Sequence, residues 1–193
     1  ELKKAEKKLE TACSRLSEVR KEYSHQLEEK VIQGLKDLNF LDVQFAITFS
    51  RRSSFTENGY DEIQYEISTN PGESLKPLGK IVSGGELSRI MLALKAILAD
   101  RDQIETLIFD EIDTGISGRT AQKVSEKMAV IGQHHQVLCI THLPQIAAMA
   151  DSHFEIEKHL KGTETITQIH VLSEEDSVRE LARLLSGTEI TPA

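Results

Sequence analysis

The 193-residue chain contains 39% hydrophobic residues and carries a formal net charge of −8, from 31 acidic and 23 basic side chains. This length allows one domain with an appended arm, and the acidic balance disfavours broad electrostatic binding of DNA by this chain alone. Its two cysteines have no Cys-x-x-Cys spacing and no apolar run approaches 18 residues, which argues against a disulfide framework, a zinc site and a membrane span, and favours a cytoplasmic setting.

The first 35 residues carry a heptad pattern. Two mostly apolar positions recur every seven residues, the first occupied by Leu2, Leu9, Leu16 and Tyr23, and the second by Ala5, Ala12, Val19 and Gln26. Mostly charged and polar side chains lie between them, as is typical of a coiled coil. We therefore predict that residues 1–35 are the end of a coiled-coil arm and that residues 36–193 form a globular lobe. A single amphipathic helix packed on its own domain is the alternative.

Two strands follow the arm. Hydrophobic and polar residues alternate within 41–49 and 62–69, and the polar loop between these segments contains Asn58-Gly59, a common hairpin turn. We predict an antiparallel hairpin.

The next segment resembles a phosphate loop in composition but not in spacing. Between Gly72 and Lys80 the two glycines are separated by six residues, more than a phosphate loop allows, and Ile81 stands where Ser or Thr should bind Mg²⁺. The 193 residues therefore offer no phosphate loop of their own.

A phosphate-binding element nevertheless occurs at Ser83. Ser83 and Glu86 have the spacing of a capping box, and apolar residues at helical spacing follow them to about Asp100. The predicted apolar stripe of this helix consists of Leu87, Ile90, Met91, Leu94, Ala96, Ile97 and Leu98. Gly84 and Gly85 lack Cβ atoms, so backbone N–H groups there can approach an anion that the helix dipole also attracts. We predict a helix whose first turn binds phosphate. A capped core helix without a ligand is the alternative.

Two carboxylates end the next predicted strand. Residues 106–111 form a short apolar run that closes with Asp110 and Glu111, as in a buried parallel strand with acids at its carboxyl edge. Ligands of open α/β sheets bind at that edge. Asp110 can hold Mg²⁺, and Glu111 can orient or deprotonate an attacking water. The alternative is that the two acids are solvent-exposed residues where the strand passes into a loop, without a functional role.

A histidine ends the strand that comes after. Ser117 can cap a helix that runs to about Ile131 and has one apolar face, formed by Ala121, Val124, Met128 and Ile131. The strand 136–141 then leads into His142. Pro144 suits the first position of another helix. One histidine alone is more often structural than functional. A glycine-capped helix, a strand ending in two acids and a strand ending in histidine nevertheless form a constellation that chance explains poorly.

The last predicted elements are two strands and a helix. Residues 154–157 and 165–172 have strand character around a turn at Lys161-Gly162, and residues 178–185 form an amphipathic helix that ends at Gly187.

Three of these elements resemble the motifs of ABC ATPases. Ser83-Gly84-Gly85-Glu86 resembles the signature motif, residues 107–110 resemble a Walker B strand with Glu111 as the adjacent catalytic glutamate, and His142 resembles the switch histidine. More narrowly, the chain is similar to SMC-type ATPases that act in bacterial DNA repair, and the stretches that carry this similarity are residues 82–94, 109–118 and 139–147.

The resemblance implies a fold and an activity. The fold would be α/β, the C-terminal lobe of an ABC-type P-loop NTPase head, with a mostly parallel sheet flanked by helices and an N-terminal coiled-coil helix. The activity would be ATP hydrolysis with Mg²⁺ in DNA double-strand break repair and recombination. The implied partners are the protein's own N-terminal Walker A lobe, a second head in an ATP-bridged homodimer, and DNA in the full-length assembly, in the bacterial cytoplasm at the nucleoid and without a membrane. Without the Walker A lobe, the 193 residues should not hydrolyse ATP.

The resemblance also implies a role for each motif residue. The residues that contact the nucleotide held by the partner head would be Ser83, Gly84, Gly85 and Glu86. Asp110 would support Mg²⁺, Glu111 would polarise the attacking water and His142 would contact the γ-phosphate, all at the nucleotide of the chain's own head. Residues 114–117 occupy the position of the D-loop, which ends in Asp in many ABC proteins, so the role of Ser117 stays open.

Two other functions fit parts of the sequence. The nucleotide-binding domain of an ABC transporter shares the three motifs, but it carries a phosphate loop upstream in the same short chain and has no heptads. A non-catalytic interaction module, in which the arm and the lobe bind a partner and the acids are relics, is the second alternative.

Overall fold

The computed structural model describes residues 1–81, 83–99, 103–161 and 164–186, and the chain divides into two compact units, residues 1–98 and 99–193. The elements of the first unit are α1 (Leu2–Asp37), β1 (Gln44–Thr56), β2 (Gly59–Ser68), β3 (Lys76–Pro77), a 3₁₀ turn (Leu78–Lys80) and α2 (Gly84–Leu98). Those of the second are β4 (Thr106–Phe109), α3 (Gly118–Gly132), β5 (Gln136–Cys139), α4 (Pro144–Ala147), β6 (Phe154–Lys161), β7 (Glu164–Val171) and α5 (Glu174–Ser186). Both units combine helices with strands, which confirms the predicted α/β class.

Helix α1 presents two different faces. One face is buried and consists of Cys13, Ser17, Ser24, Val31, Gly34 and Leu35. The first position of the predicted heptad seam is exposed along its length, at Leu2, Leu9, Leu16 and Tyr23. The helix therefore packs on its own unit through a face that the heptads do not reveal, and the seam itself remains accessible. Among the described helices, including this one of 36 residues, none combines the length and the apolar character that a membrane span requires.

Strands β1 and β2 form the predicted antiparallel hairpin, with Thr56 opposite Gly59. Both strands extend further toward the turn than the alternation predicts, so that only Glu57 and Asn58 connect them. Gly59 has a φ of +88°, a conformation that glycine adopts at little cost because it lacks a Cβ atom.

Polar contacts fasten α1 to this hairpin. Arg20 Nη1 donates to Asn58 O at 2.8 Å and to Asp61 Oδ2 at 3.0 Å, and the Asp61 side chain is only 4% exposed. Further along the helix, Glu28 Oε1 accepts a hydrogen bond from the backbone N–H of Ile47 at 2.6 Å. Because a buried carboxylate requires a charged or hydrogen-bonding partner, Arg20 ties the arm to the hairpin.

Helix α2 packs against α1 at Gly34, where a Cβ atom would lie 3.6 Å from the Cβ of Ala93. Ile90 and Leu92 of α2 are fully buried, whereas Met91, which the predicted apolar stripe includes, is 37% exposed. The buried stripe is therefore rotated slightly from the predicted one, and Gly34 leaves room for the face that contains Ala93 to approach α1.

Strands β4 and β5 pair in parallel, with Thr106 opposite Gln136 and Phe109 opposite Cys139. Helix α3 connects them, as parallel neighbours require, because a tight turn can join only antiparallel strands. The predicted buried face of α3 is confirmed, at Ala121, Val124, Met128 and Ile131. Pro144 occupies the first turn of α4, also as predicted.

Strands β6 and β7 form a second antiparallel hairpin, with Phe154 opposite Val171. Helix α5 begins at Glu174, earlier than the predicted Val178, because Ser173 caps it: Ser173 Oγ donates to Asp176 Oδ2 at 2.6 Å and accepts from the Asp176 N–H at 3.2 Å.

Parallel pairing among the described strands is confined to β4 and β5, since the other two sheets are built on hairpins. Within the described residues, the predicted parallel sheet thus corresponds to the pair that leads into the acids and the histidine. Some predicted features lie outside the described residues, namely Val82 before the signature residues, the helix end near Asp100, Gly162 in the last hairpin turn and Gly187 after the final helix.

Replacing Arg20 by Ala should lower the free energy of unfolding by about 2 kcal/mol, because the buried Asp61 carboxylate loses its cation. Arg51→Ala is the matched control. Arg51 Nη2 also links the hairpin to α1, by donating to Glu10 Oε2 at 2.8 Å, but both of these side chains are largely exposed. Water can replace that contact, so the loss should be much smaller. Urea denaturation measures both variants, and equal losses would contradict this account of the arm.

Candidate functional site

The first turn of α2 carries the predicted phosphate-binding residues. Ser83 Oγ accepts a hydrogen bond from the Glu86 N–H at 3.4 Å, and Ser83 O accepts one from the Leu87 N–H at 3.0 Å, so Ser83 caps the helix as predicted. Ser83 and Gly84 are exposed, while Gly85 is buried. The N–H groups of a first turn lack intrahelical acceptors and lie at the positive end of the dipole. This exposed helix start therefore suits an anion.

Arg89, which sequence analysis did not single out, lies one turn further along α2. Its side chain is buried, and its guanidinium carbon lies 5.5 Å from the centre of the Phe40 ring. Burial lowers the pKa of Arg89, and the negative charge of Glu86 opposes this shift. Glu86 thus stabilises a buried cation of its own helix. The spacing of Glu86 and Arg89 on one helix face is the signal that could have revealed the pair.

The two acids follow β4 in an exposed turn. Asp110 Oδ1 accepts a hydrogen bond from the backbone N–H of Glu111 at 2.9 Å. Glu111 has a φ of +56°, in the left-handed region, which costs a residue with a Cβ atom about 1 kcal/mol. Strained backbone of this kind concentrates at functional sites. The conformation of Glu111 is therefore an observation, independent of sequence motifs, that favours a functional role.

Asp113 is the residue that links the two strand ends, and sequence analysis missed it. Asp113 Oδ2 accepts from Thr141 Oγ1 at 2.6 Å and from the His142 backbone N–H at 2.8 Å, and it lies 2.9 Å from His142 Nδ1. The Asp113 side chain is 5% exposed, whereas that of His142 is 72% exposed. A buried carboxylate thus holds a histidine that faces solvent.

The parallel register brings these groups to one edge of the sheet. The last residue of β4 lies opposite the last residue of β5, and the Ile140 N–H continues the ladder by donating to Phe109 O at 3.0 Å. Asp110 and Glu111 leave β4, and His142 follows β5, at the same carboxyl edge. The structure thus places these three predicted residues together in the second unit.

The signature residues and the three residues at the carboxyl edge belong to different units of the chain. Residues 83–86 belong to the first unit, and residues 110, 111 and 142 belong to the second.

The carboxyl edge of β4 and β5 has a negative potential. Burial raises the pKa of the Cys139 thiol to about 12, and the charges of Asp113 and Asp110 add to this effect. The same potential attracts a cation, and carboxylate oxygens such as those of Asp110 are ligands that Mg²⁺ prefers.

A second set of ligand-type side chains lies on the β6–β7 hairpin, with ligand atoms within 4.8 Å of one another: Glu157, His159 and His170. Imidazole ligands suit zinc or copper better than magnesium.

Residues 114–117 form the turn between the acids and α3. The Ile116 N–H donates to Asp113 O at 3.3 Å, and Gly115 adopts a φ of +74°. Ser117 is the N-cap residue of α3, but its side chain makes no capping hydrogen bond within the described residues, so the predicted cap is wrong in this respect. Its backbone carbonyl instead accepts from the Thr120 N–H at 3.2 Å.

Comparison with known proteins gives close relatives. No protein-family model matches the sequence. Over 187 residues the chain is 44% identical to the DNA repair protein RecN of Halalkalibacterium halodurans, an alignment that covers 95% of the chain and 33% of that protein. It is 40% identical over 206 residues to the DNA repair protein RecN of Bacillus subtilis, with 99% of the chain and 36% of that protein covered.

A solved structure supports the fold. The Smc head domain with a coiled coil and joint from Pyrococcus yayanosii matches with a TM-score of 0.52 and 18% identity, over 93% of this chain and 34% of that one. At this identity the likeness concerns the fold alone, over about a third of that structure. The chain spans about a third of the length of its RecN relatives, and it belongs to the RecN family of bacterial DNA repair proteins.

Proposed function

We propose that this chain is the C-terminal half of an SMC-like ATPase head, which hydrolyses ATP in the full-length protein during DNA double-strand break repair and recombination. The observation that carries the proposal is the arrangement at the carboxyl edge of β4 and β5, where a buried Asp113 joins the turn of the two acids to the exposed His142. Membership of the RecN family supports the biological setting.

The residues at this edge have complementary chemical capacities. Asp110 offers carboxylate oxygens in a region of negative potential, so it is the residue that would hold Mg²⁺; the ion, when bound, neutralises charge on the phosphates. Glu111 is exposed and can accept the proton of an attacking water. His142 contacts Asp113 through Nδ1, so its other ring nitrogen is available to a γ-phosphate. These three groups act on the nucleotide of the chain's own head.

The signature residues act on a different nucleotide in this proposal. Ser83 and the backbone of Gly84 and Gly85 contact the γ-phosphate held by a second head, in a homodimer bridged by ATP. The exposed, capped start of α2 supports this role, because a helix start binds phosphate through backbone N–H groups. The phosphate loops of both nucleotides come from Walker A lobes that the 193 residues do not contain.

An uncovered apolar surface supports a partner lobe. Ile108 is 68% exposed, Leu138 44% and Ile140 53%, and Ile108 lies opposite Leu138 in the parallel pair. Parallel strands are normally covered on both faces. The Walker A lobe of the same protein is the partner that we propose for this face, and a second coiled-coil helix is the partner that we propose for the exposed seam of α1. Residues 1–35 then form the arm, and residues 36–193 the lobe.

The proposed DNA contacts belong to the full-length assembly. The net charge of −8 makes this chain a poor non-specific ligand for phosphate backbones. We place the assembly in the bacterial cytoplasm at the nucleoid, where broken DNA occurs.

Mixing this chain with the Walker A lobe of the same protein should give Mg²⁺-dependent ATP hydrolysis, whereas the chain alone should give none. Glu111→Gln should lower turnover of the mixture at least about 100-fold, because the amide cannot accept a proton from water. Glu105→Gln makes the same change at the other end of β4 and should leave turnover unchanged. Phosphate release measures all four samples. Turnover by the chain alone would contradict the half-site proposal, and full turnover with Glu111→Gln would contradict the role of Glu111.

Ser83→Arg should prevent ATP-dependent dimerisation of the full-length protein while leaving ATP binding by the monomer intact, because Ser83 serves the partner's nucleotide. Gly79→Arg is the matched control, since a Cβ atom at Gly79 meets nothing within 4 Å. Light scattering with and without ATP, in a Glu111→Gln background that slows hydrolysis, measures the mass. Dimers of the Ser83→Arg protein equal to those of the control would refute the assignment of the signature residues.

A further inference from the structure

We propose that Asp113 is a positioning residue for ATP hydrolysis, which holds His142 in one orientation and one tautomer and couples it to the turn that carries Glu111. This inference rests on the proposed role of His142 and adds a residue to which no function is assigned.

The contacts of Asp113 converge on a single atom. Its Oδ2 lies within 2.6 to 2.9 Å of three donors, the Thr141 hydroxyl, the His142 backbone N–H and His142 Nδ1. Burial of a carboxylate is costly unless hydrogen bonds compensate it, and three donors do so here. Two of the three belong to one residue, so both the backbone and the ring of His142 are held. Compensation of the buried Asp113 charge alone would not require a contact with the imidazole ring of His142.

The ring contact determines which nitrogen carries the proton. An ionised carboxylate only accepts hydrogen bonds, so Nδ1 of His142 must donate to Asp113. The second nitrogen, Nε2, is then the one that faces a ligand. An imidazole that is 72% exposed would otherwise sample several rotamers and both tautomers, and this freedom would be lost each time a nucleotide bound.

The same residue is rigidly connected to Glu111. The neighbouring Ile112 is fully buried, the Thr114 N–H donates to Glu111 O at 3.0 Å and the Ile116 N–H donates to Asp113 O at 3.3 Å. Asp113 therefore cannot shift without displacing this turn. A displacement of the Glu111 turn would move His142 as well, so the positions of the two groups that act on one nucleotide are set jointly.

Steady-state kinetics of the full-length protein provide the first test. Asp113→Asn should lower kcat for ATP hydrolysis about 10- to 100-fold, the range for residues that orient a functional histidine, with little change in KM. Thr106→Val is the matched control, because it removes a side-chain hydrogen bond between the same two strands at the end away from the acids, from Thr106 Oγ1 to Gln136 Oε1 at 3.1 Å, and its kcat should stay close to that of the wild type. A kcat of Asp113→Asn equal to that of the control would overturn the proposal.

A double-mutant cycle shows whether Asp113 acts through His142. In a His142→Ala background, Asp113→Asn should cause no further loss of kcat, since there is no ring to position. The full loss in that background would overturn the positioning role alone and leave the proposed function intact. Unchanged turnover of His142→Ala itself would instead overturn the proposed role of His142, and this inference with it.

The tautomer of His142 provides a readout that does not depend on turnover. In ¹⁵N-histidine-labelled full-length protein, assigned by comparison with His142→Ala, the neutral ring of His142 should carry its proton on Nδ1. Asp113→Asn should give a mixture of tautomers or the Nε2 form, whereas Thr106→Val should retain the Nδ1 form. A wild-type ring protonated on Nε2 would overturn the proposal.

Discussion

The parallel pairing of β4 with β5 is the constraint on which the rest of the second unit depends. Because the last residues of the two strands lie opposite each other, the acids after β4 and the histidine after β5 must leave at the same edge. Helix α3 makes this pairing possible because it forms the crossover between the two strands and buries its apolar face. The buried Asp113 then links the two loops at that edge, so the fold positions the chemistry through a few contacts close to the strand ends.

Two apolar surfaces of the chain are exposed to solvent. One face of the parallel pair remains exposed, and so does the heptad seam of α1, although Arg20 anchors another face of that helix to the first hairpin. Apolar surface of this kind marks interaction sites, and the chain spans only about a third of its RecN relatives. These are the two surfaces that the proposed partners, a Walker A lobe and a second coiled-coil helix, would cover.

Local sequence patterns predicted most elements and the candidate motifs, because helical period, capping and apolar runs depend on neighbours in the chain. They placed the buried face of α3 and the start of α2 correctly. Contacts between distant residues escaped them: Arg20 and Asp61 are 41 positions apart, and Asp113 and Thr141 are 28 apart. Nothing near Asp113 distinguishes it from a surface acid. Its contacts form only when the two strands pair, which is why local patterns identified the two acids and His142 as candidates but missed the buried residue that connects the two strand ends.

We propose that one full-length polypeptide serves two nucleotides, and a structure of this protein with Mg²⁺ and a non-hydrolysable ATP analogue would show which residues surround each of them. In that structure, Asp110, Glu111 and His142 should surround the nucleotide held by the phosphate loop of the same full-length polypeptide. Residues 83–86 of the same chain should contact the nucleotide of the second head across the dimer interface. A structure in which all of these residues surround a single nucleotide within one chain would contradict the account.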